Sequence, residues 1–159
     1  MSIIGIVAID KNGAIGKNGS IPWHYSSDLK FFKEQTIGHA CVMGRATWLS
    51  LKRPLKERLN IVLSKSAKVE APEGNIIILP DKRFVLALAP YLSCHLYVIG
   101  GEQIFRAFQP EIEQWIVTEV PLSIDGADTF MPQNYLRNFT PRRTLTLADE
   151  LIVTFYERP

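Results

Sequence analysis

The chain has 159 residues, 47% hydrophobic and 21% charged, a length and composition that suit one domain with a core of ordinary size and exclude a disordered chain. Its formal net charge of +2 is too small to argue for nucleic acid, although a local cluster of Arg and Lys could still serve a small anion. Residues 1–13 carry no basic leader and reach a charge after too few apolar residues for a membrane span, so neither a signal peptide nor a transmembrane segment is expected.

Ile3–Ile9, a continuous β-branched run, predicts a buried central strand. Residues 10–22, DKNGAIGKNGSIP, then form a long loop rich in Gly and Asn. A helix follows to about Thr36, capped by Ser26 or Ser27 and stopped at Gly38. HACVMG reads as a second strand, RATWLSL as a short helix ended before Arg53-Pro54, RLNIVLS as a third strand and NIIIL as a fourth. Pro80 opens a helix that closes near Pro90. HLYVIGG is a fifth strand, and EQIFRAF a helix with Ile104, Phe105 and Phe108 on one face. EQWIVTEV, a segment around PRRTLTL, and ELIVTFYE complete the strands. Helices alternate with strands as far as about residue 109 and only strands follow. The expected fold is α/β, a single domain over residues 1–159. A mostly parallel mixed sheet is flanked by about four helices, with antiparallel strands at the C-terminal end. Cys41 and Cys94 each lie in an apolar run and read as two buried free thiols in a reducing compartment.

Several stretches could carry chemistry. Gly13, Gly16 and Gly19 recur every third residue, which is neither the dinucleotide fingerprint nor a Walker A loop. Because the loop leaves the carboxyl end of the first strand, where open α/β sheets bind ligands, it reads as a flap or as a turn-rich connection. Gly100 and Gly101 join a strand directly to a helix, either as a tight turn or as a place where backbone approaches a phosphate. Gly44 repeats that arrangement before a helix with Arg45 and Thr47 in its first turn, where an Arg opposes the helix dipole unless an anion lies between. Ser64 and Lys65 add a hydroxyl and a cation at the end of another strand. His24, His39, His95, Cys41 and Cys94 show no zinc spacing, and no Gly-x-Ser-x-Gly elbow exists. In IPWHYSSDLKFF, Asp28 stands among apolar residues with Phe32 four residues on along the same helix face. It is either a helix-start acid or a desolvated, reactive carboxylate seeking a bidentate cationic or amidine-like partner.

In this order along the chain, IGKNGSIPWHYSSDLKFFKEQT, VMGRATWLSLKRPL, NIVLS, YVIGGEQIF, VTEV and GADTFMP resemble dihydrofolate reductase of the bacterial chromosomal type, over nearly the whole length. The resemblance implies reduction of dihydrofolate to tetrahydrofolate by NADPH, with a proton reaching the ring nitrogen beside the reduced carbon. Asp28 matches the ionisable residue of the pterin pocket, Trp23 a residue that orders a water there, and Thr118 one that supports the Asp through a water. Ile6, Val7, Ala8, Leu29, Phe32, Leu51, Leu55 and Ile99 match the apolar lining, and Arg58 the residue that binds the α-carboxylate of the glutamate tail. Gly44, Arg45, Ala46 and Thr47 match contacts to the cofactor's pyrophosphate and adenosine. Gly100 and Gly101 match a Gly-Gly pair that the family joins by a cis peptide. Arg45, Ser64 and Lys65, following Leu63, match a cradle for the 2′-phosphate. Ile15, Gly16 and Ile21 belong to the flap that closes over the nicotinamide, and Asp128 to a loop that contacts it. Gln103, Ile104 and Phe105 continue the cofactor side.

Some positions depart from the family pattern. Phe105 stands where many members carry Tyr, Lys56-Glu57 replaces a common Pro-Gly, and Gln103 stands where some members carry a second Arg. The resemblance further implies a cytoplasmic monomer that antifolates would bind, with no metal, membrane or nucleic-acid partner. Two alternatives stand beside it: a reductase acting on a pyrimidine of riboflavin synthesis, which shares the general architecture, and a catalytically silent nucleotide-binding module.

Overall fold

The computed structural model describes residues 1–66 and 74–159. Ile3–Ile9 form β1, fifth in an eight-stranded sheet of order β5-β4-β3-β6-β1-β7-β10-β9. The other strands of this sheet are β3 (Ala40–Gly44), β4 (Leu59–Leu63), β5 (Ile76–Leu79), β6 (Leu96–Gly100), β7 (Gln114–Glu119), β9 (Thr140–Thr146) and β10 (Ile152–Glu157). Every pairing from β5 to β7 is parallel, and β10 pairs antiparallel with both β7 and β9. The four α-helices among the described residues are α1 (Ser26–Thr36), α2 (Arg45–Ser50), α3 (Lys82–Leu88) and α4 (Glu102–Phe108). A two-stranded ribbon, β2 (Ala14–Gly16) with β8 (Thr129–Phe130), stands apart from the main sheet.

Because side chains alternate along a strand, β1 serves two cores. Ile3 and the half-buried Val7 and Ile9 pack with Val98, Phe105, Phe108, Ile112 and Trp115. Ile4 and Ile6 pack on the other side with Phe31, Met43, Trp48 and Ile116. Gly5 has no side chain because the Trp115 ring occupies that space; any Cβ there would overlap it.

The α/β architecture, the helices and the antiparallel C-terminal strands follow the expectation from sequence, with four local differences. The residue capping α1 is Tyr25, in extended backbone with no side-chain cap. Ser26 and Ser27 lie inside the helix, and the Ser27 hydroxyl donates to the Ala148 carbonyl (3.4 Å). Loop 10–22 contains β2, too short for any periodicity to reveal. Asp81, after Pro80, caps α3 by accepting from the Arg83 N–H, and Pro90 falls in the 3-10 turn Ala89–Tyr91 beyond the helix. Both thiols are free, but only Cys41 is buried; Cys94 is half-buried. No helix among the described residues is long and apolar enough to cross a membrane.

Candidate active site

The expected cofactor residues at Gly44, Ser64, Lys65 and Gly100 lie at the carboxyl edge of the parallel strands, the side of an open α/β sheet on which ligands bind, whereas Leu55 and Arg58 precede β4 and lie at its amino end. The order β4-β3-β6-β1-β7 sets five strand ends in a row. Ala8 of β1 is the register partner of Thr118 on β7, and α1 carries Asp28 in its first turn. Thr118 is buried (2% exposed) and Asp28 half-buried. Burial pushes the Asp28 pKa up from the ordinary Asp value, and the Thr118 side chain, its hydrogen-bonding neighbour, pulls it partly back down. The helix-start acid of the sequence is therefore desolvated, and it holds a proton more readily than a surface Asp.

Ile6, Phe32, Leu51, Leu55 and Ile99 belong to one apolar cluster. Val7 and Phe105 do not join them; both pack in the cluster on the opposite face, where Phe105 is 2% exposed against Trp115. Leu29 is 53% exposed and Ile21 63%, so neither packs into the core. Trp23 is half-buried, and its indole N–H is buried without a hydrogen-bond partner. An orphaned donor of this kind calls for an acceptor from outside the chain.

Arg58 is 7% exposed. Its Nη1 donates to Thr36 Oγ1 (3.0 Å) and its Nε to the Lys56 carbonyl (2.9 Å), and its guanidinium carbon lies 5.9 Å from the Phe32 ring centroid. Among the described residues no carboxylate lies within ion-pair distance of it. A buried guanidinium held by neutral acceptors and left without a counterion is suited to bind an anion.

The second half of the site lies along β4, β3 and β6. Gly44 pairs with Leu63, and Met43 with Gly100. The β3–α2 turn with Gly44 to Thr47, the end of β4 with Ser64 and Lys65, and the β6–α4 turn with Ile99 to Ile104 are therefore neighbours. The Gly100–Gly101 peptide is cis. A Cβ at Gly44 would lie 3.0 Å from Ile104 Cγ1, whereas one at Gly101 would meet only Thr47 Oγ1, at 3.8 Å. The β6–α4 turn thus leaves open space over bare backbone at Gly101, flanked by the Thr47 hydroxyl. Arg45, Lys65 and Gln103 are exposed, and the Lys65 charge reaches Asp81.

A family model described as dihydrofolate reductase matches residues 2–154. The chain belongs to the dihydrofolate reductase family. It is 36% identical over 127 residues to the dihydrofolate reductase of Staphylococcus haemolyticus, covering 80% of this chain and 74% of that one. To the bifunctional dihydrofolate reductase-thymidylate synthase of Glycine max it is 41% identical over 154 residues, covering 86% of this chain but 29% of the relative. The chain therefore spans under a third of the plant bifunctional relatives, and 26% of a second one from Arabidopsis thaliana. Among solved structures, a dihydrofolate reductase from Enterococcus faecalis complexed with NADP(H) and RAB-propyl superposes with a TM-score of 0.87 at 30% identity. That match covers 99% of this chain and 96% of the other.

Within this reductase fold, three buried polar residues shape the site although the sequence reading did not single them out. Asn60, wholly buried inside β4, accepts from the Leu55 N–H (2.9 Å) and donates to the Leu55, Arg58 and Asn75 carbonyls. It folds the loop that presents Leu55 and Arg58. In the same loop Glu57 takes the left-handed conformation (φ 60°) that a glycine would adopt without strain, so Lys56-Glu57 keeps the turn that a Pro-Gly pair would make. Thr36 bonds the Phe32 carbonyl (2.8 Å) while receiving Arg58. Asp10 ends β1 and is 2% exposed. The available signal was the same in each strand: a lone polar residue in, or directly after, an apolar run.

Proposed function

We propose that this chain is an NADPH-dependent dihydrofolate reductase, one folding unit over residues 1–159, reducing dihydrofolate to tetrahydrofolate. Family membership and the site support this together, and Asp28 is the observation that carries it. A desolvated carboxylate beside an apolar wall suits a flat heterocycle that presents two N–H donors side by side, as the pterin edge does. The NADP(H)-complexed relative supports the choice of cofactor.

The residues present fit that cofactor. Side-chain-free backbone at Gly44, Gly100 and Gly101 would accept its pyrophosphate and nicotinamide ends, and Arg45, Ser64 and Lys65 would hold a 2′-phosphate by charge and hydroxyl. Bound there, NADPH supplies the hydride. Asp28 then orients the pterin through two hydrogen bonds, and its negative charge favours protonation of the ring. Trp23 offers its unpartnered N–H to the oxygen of a water that relays the proton. Ile6, Phe32, Leu51, Leu55 and Ile99 exclude bulk water from the ring, and Arg58 closes on the α-carboxylate of the glutamate tail. The flap, including Ile15, Gly16 and Ile21, covers the nicotinamide side. The free thiols suit a reducing compartment, and we place the protein in the cytoplasm, acting as a monomer.

Purified protein mixed with dihydrofolate and NADPH should bleach the nicotinamide absorbance band, and a competitive antifolate should stop it. No loss of absorbance with dihydrofolate would refute the reading. Turnover of a pyrimidine instead would point to the riboflavin-type reductase, and NADPH binding with no turnover to a silent module.

A further inference from the structure

Asp10 has no part in the chemistry above, yet its carboxylate is among the most fully used groups in the molecule. Oδ1 accepts from the Asn12 N–H (2.7 Å) and the Ala14 N–H (2.8 Å), both in the flap. Oδ2 accepts from the Ile124 N–H (2.9 Å), in the loop after β7. Around it the backbone repeats the link: Asp10 N–H to the Ala14 carbonyl, Gly13 N–H to the Asp10 carbonyl, and Lys11 N–H to the Leu122 carbonyl. Among the described residues no cation pairs with it. Burial alone would raise its pKa, but the N–H groups of Ile124, Ala14 and Asn12 hold it below the ordinary Asp value.

The same two loops meet a second time at their tips, and there the contacts are exposed. Asp128 Oδ2 accepts from the Asn18 N–H (2.9 Å), and Lys17 Nζ donates to the Asp125 carbonyl (2.8 Å). The flap is thus tied to the 121–128 loop at a buried root and at a solvated tip, with the Asp128 N–H to Gly16 carbonyl bond (3.2 Å) and the β2–β8 ribbon between them. Exposed bonds open at little cost, whereas a buried carboxylate cannot release three N–H donors without leaving all of them unsatisfied.

We propose that Asp10 is a positioning residue whose carboxylate pins the flap root and the 121–128 loop to the end of β1, making the two loops one lid that opens only at its tip. That the lid covers the cofactor rests on the reading above; the pinning itself does not.

The test uses Asp10→Asn in the full chain. An amide keeps one carbonyl oxygen for Asn12 and Ala14, but it must turn its NH2 toward the Ile124 N–H, donor against donor. Hydrogen exchange of the free protein should then rise about 10- to 100-fold at Ile124 and stay within about twofold in β1, β3 and β6. NADPH should dissociate about tenfold faster, followed by tryptophan fluorescence, with KM for NADPH rising more than kcat changes. Asp128→Ala, at the exposed tip, should speed exchange at residues 17–19 and leave Ile124 unchanged; this comparison stands even if Asp10→Asn does not fold. Uniformly faster exchange in Asp10→Asn, unchanged exchange at Ile124, or an Asp128→Ala variant that frees Ile124 would each overturn the proposal. A wild-type chain that fails to bind NADPH would count against the proposed function and leave the exchange result to decide the pin.

Discussion

Replacing Asp28 by Asn keeps the shape of the side chain and removes its charge, and activity and stability should then move in opposite directions. In the free protein the carboxylate is desolvated, with Thr118 opposing the effect, and its pKa is raised. The sign follows: an acid whose folded pKa lies above its unfolded value of 3.8 takes up its proton first in the folded state. Folding is thus favoured as pH falls through the folded value, and at neutral pH the buried charge costs stability. An incompletely satisfied buried acceptor costs about 1–3 kcal/mol. If the neutral amide recovers about 1 kcal/mol of this, Asp28→Asn should melt about 2–4 °C above the parent at pH 7, and the gap should close in acid as the parent carboxyl protonates. Catalysis should suffer instead. The amide turns a donor toward the donor edge of the pterin and no longer favours ring protonation, a loss of about 10²–10⁴-fold in turnover at pH 7. The deficit should shrink at lower pH, where solvent can protonate the ring. NADPH affinity should stay within about twofold, since the cofactor turns lie on other strands. Calorimetry at pH 7 and pH 4, a pH profile of kcat, and a fluorescence titration with NADPH check all three. Parental turnover at pH 7, or a melting temperature that falls there, would refute the role given to the carboxylate.

Arg58→Lys keeps the charge, but one ammonium cannot hold Thr36 Oγ1 and the Lys56 carbonyl while also gripping a carboxylate as a fork. KM for dihydrofolate should rise about tenfold or more with kcat little changed, and a pterin lacking the glutamate tail should be used as well as by the parent; an unchanged KM would remove Arg58 from the tail site. His39 and His95 stack at 5.1 Å between ring centroids. Each accepts a backbone N–H at Nδ1, from His95 and Ser2 respectively (both 3.0 Å). Burial and the neighbouring His95 hold the His39 pKa below the ordinary value of 6.5, so the unfolded chain takes the proton first and stability should decline as pH falls below about 6.5. His39→Asn, whose amide oxygen replaces the Nδ1 acceptor, should flatten that slope in urea titrations from pH 7 to 5; parallel slopes would contradict it. The Cys41 thiol is pushed up to about 12, chiefly by burial. A thiol reagent at pH 8 should therefore modify the half-buried Cys94 alone until the protein unfolds; prompt reaction of both would mean that Cys41 is accessible.

What the sequence made legible follows from the range of the forces involved. IIGIVAI and HLYVIGG announce buried parallel strands because a strand covered on both faces needs apolar residues at every position. Asp28 stood out as an acid among apolar residues, whereas Arg58 was marked only by the family resemblance. Strand order was not legible, since it is set by pairings between distant segments. The ribbon of β2 and β8 was invisible for a related reason: its few residues pair positions more than a hundred apart, such as Ala14 with Phe130. The α1 cap was misread because a serine caps only if its hydroxyl has no better use, and Ser27 finds one at Ala148. Both loops that complete the site take their shape from a polar residue buried at the edge of, or within, an apolar run. Asp10 ends IIGIVAID and gathers the flap; Asn60 interrupts RLNIVLS and gathers the loop of Leu55 and Arg58. Neither needs to touch a ligand. A strand accepts such a residue only if backbone groups from elsewhere satisfy it, so each marks a point where a distant loop must return to the sheet. Asp10 does so at the carboxyl end of β1 and Asn60 at the amino end of β4, so the side chains that hold the site together brace it from opposite edges of the parallel sheet.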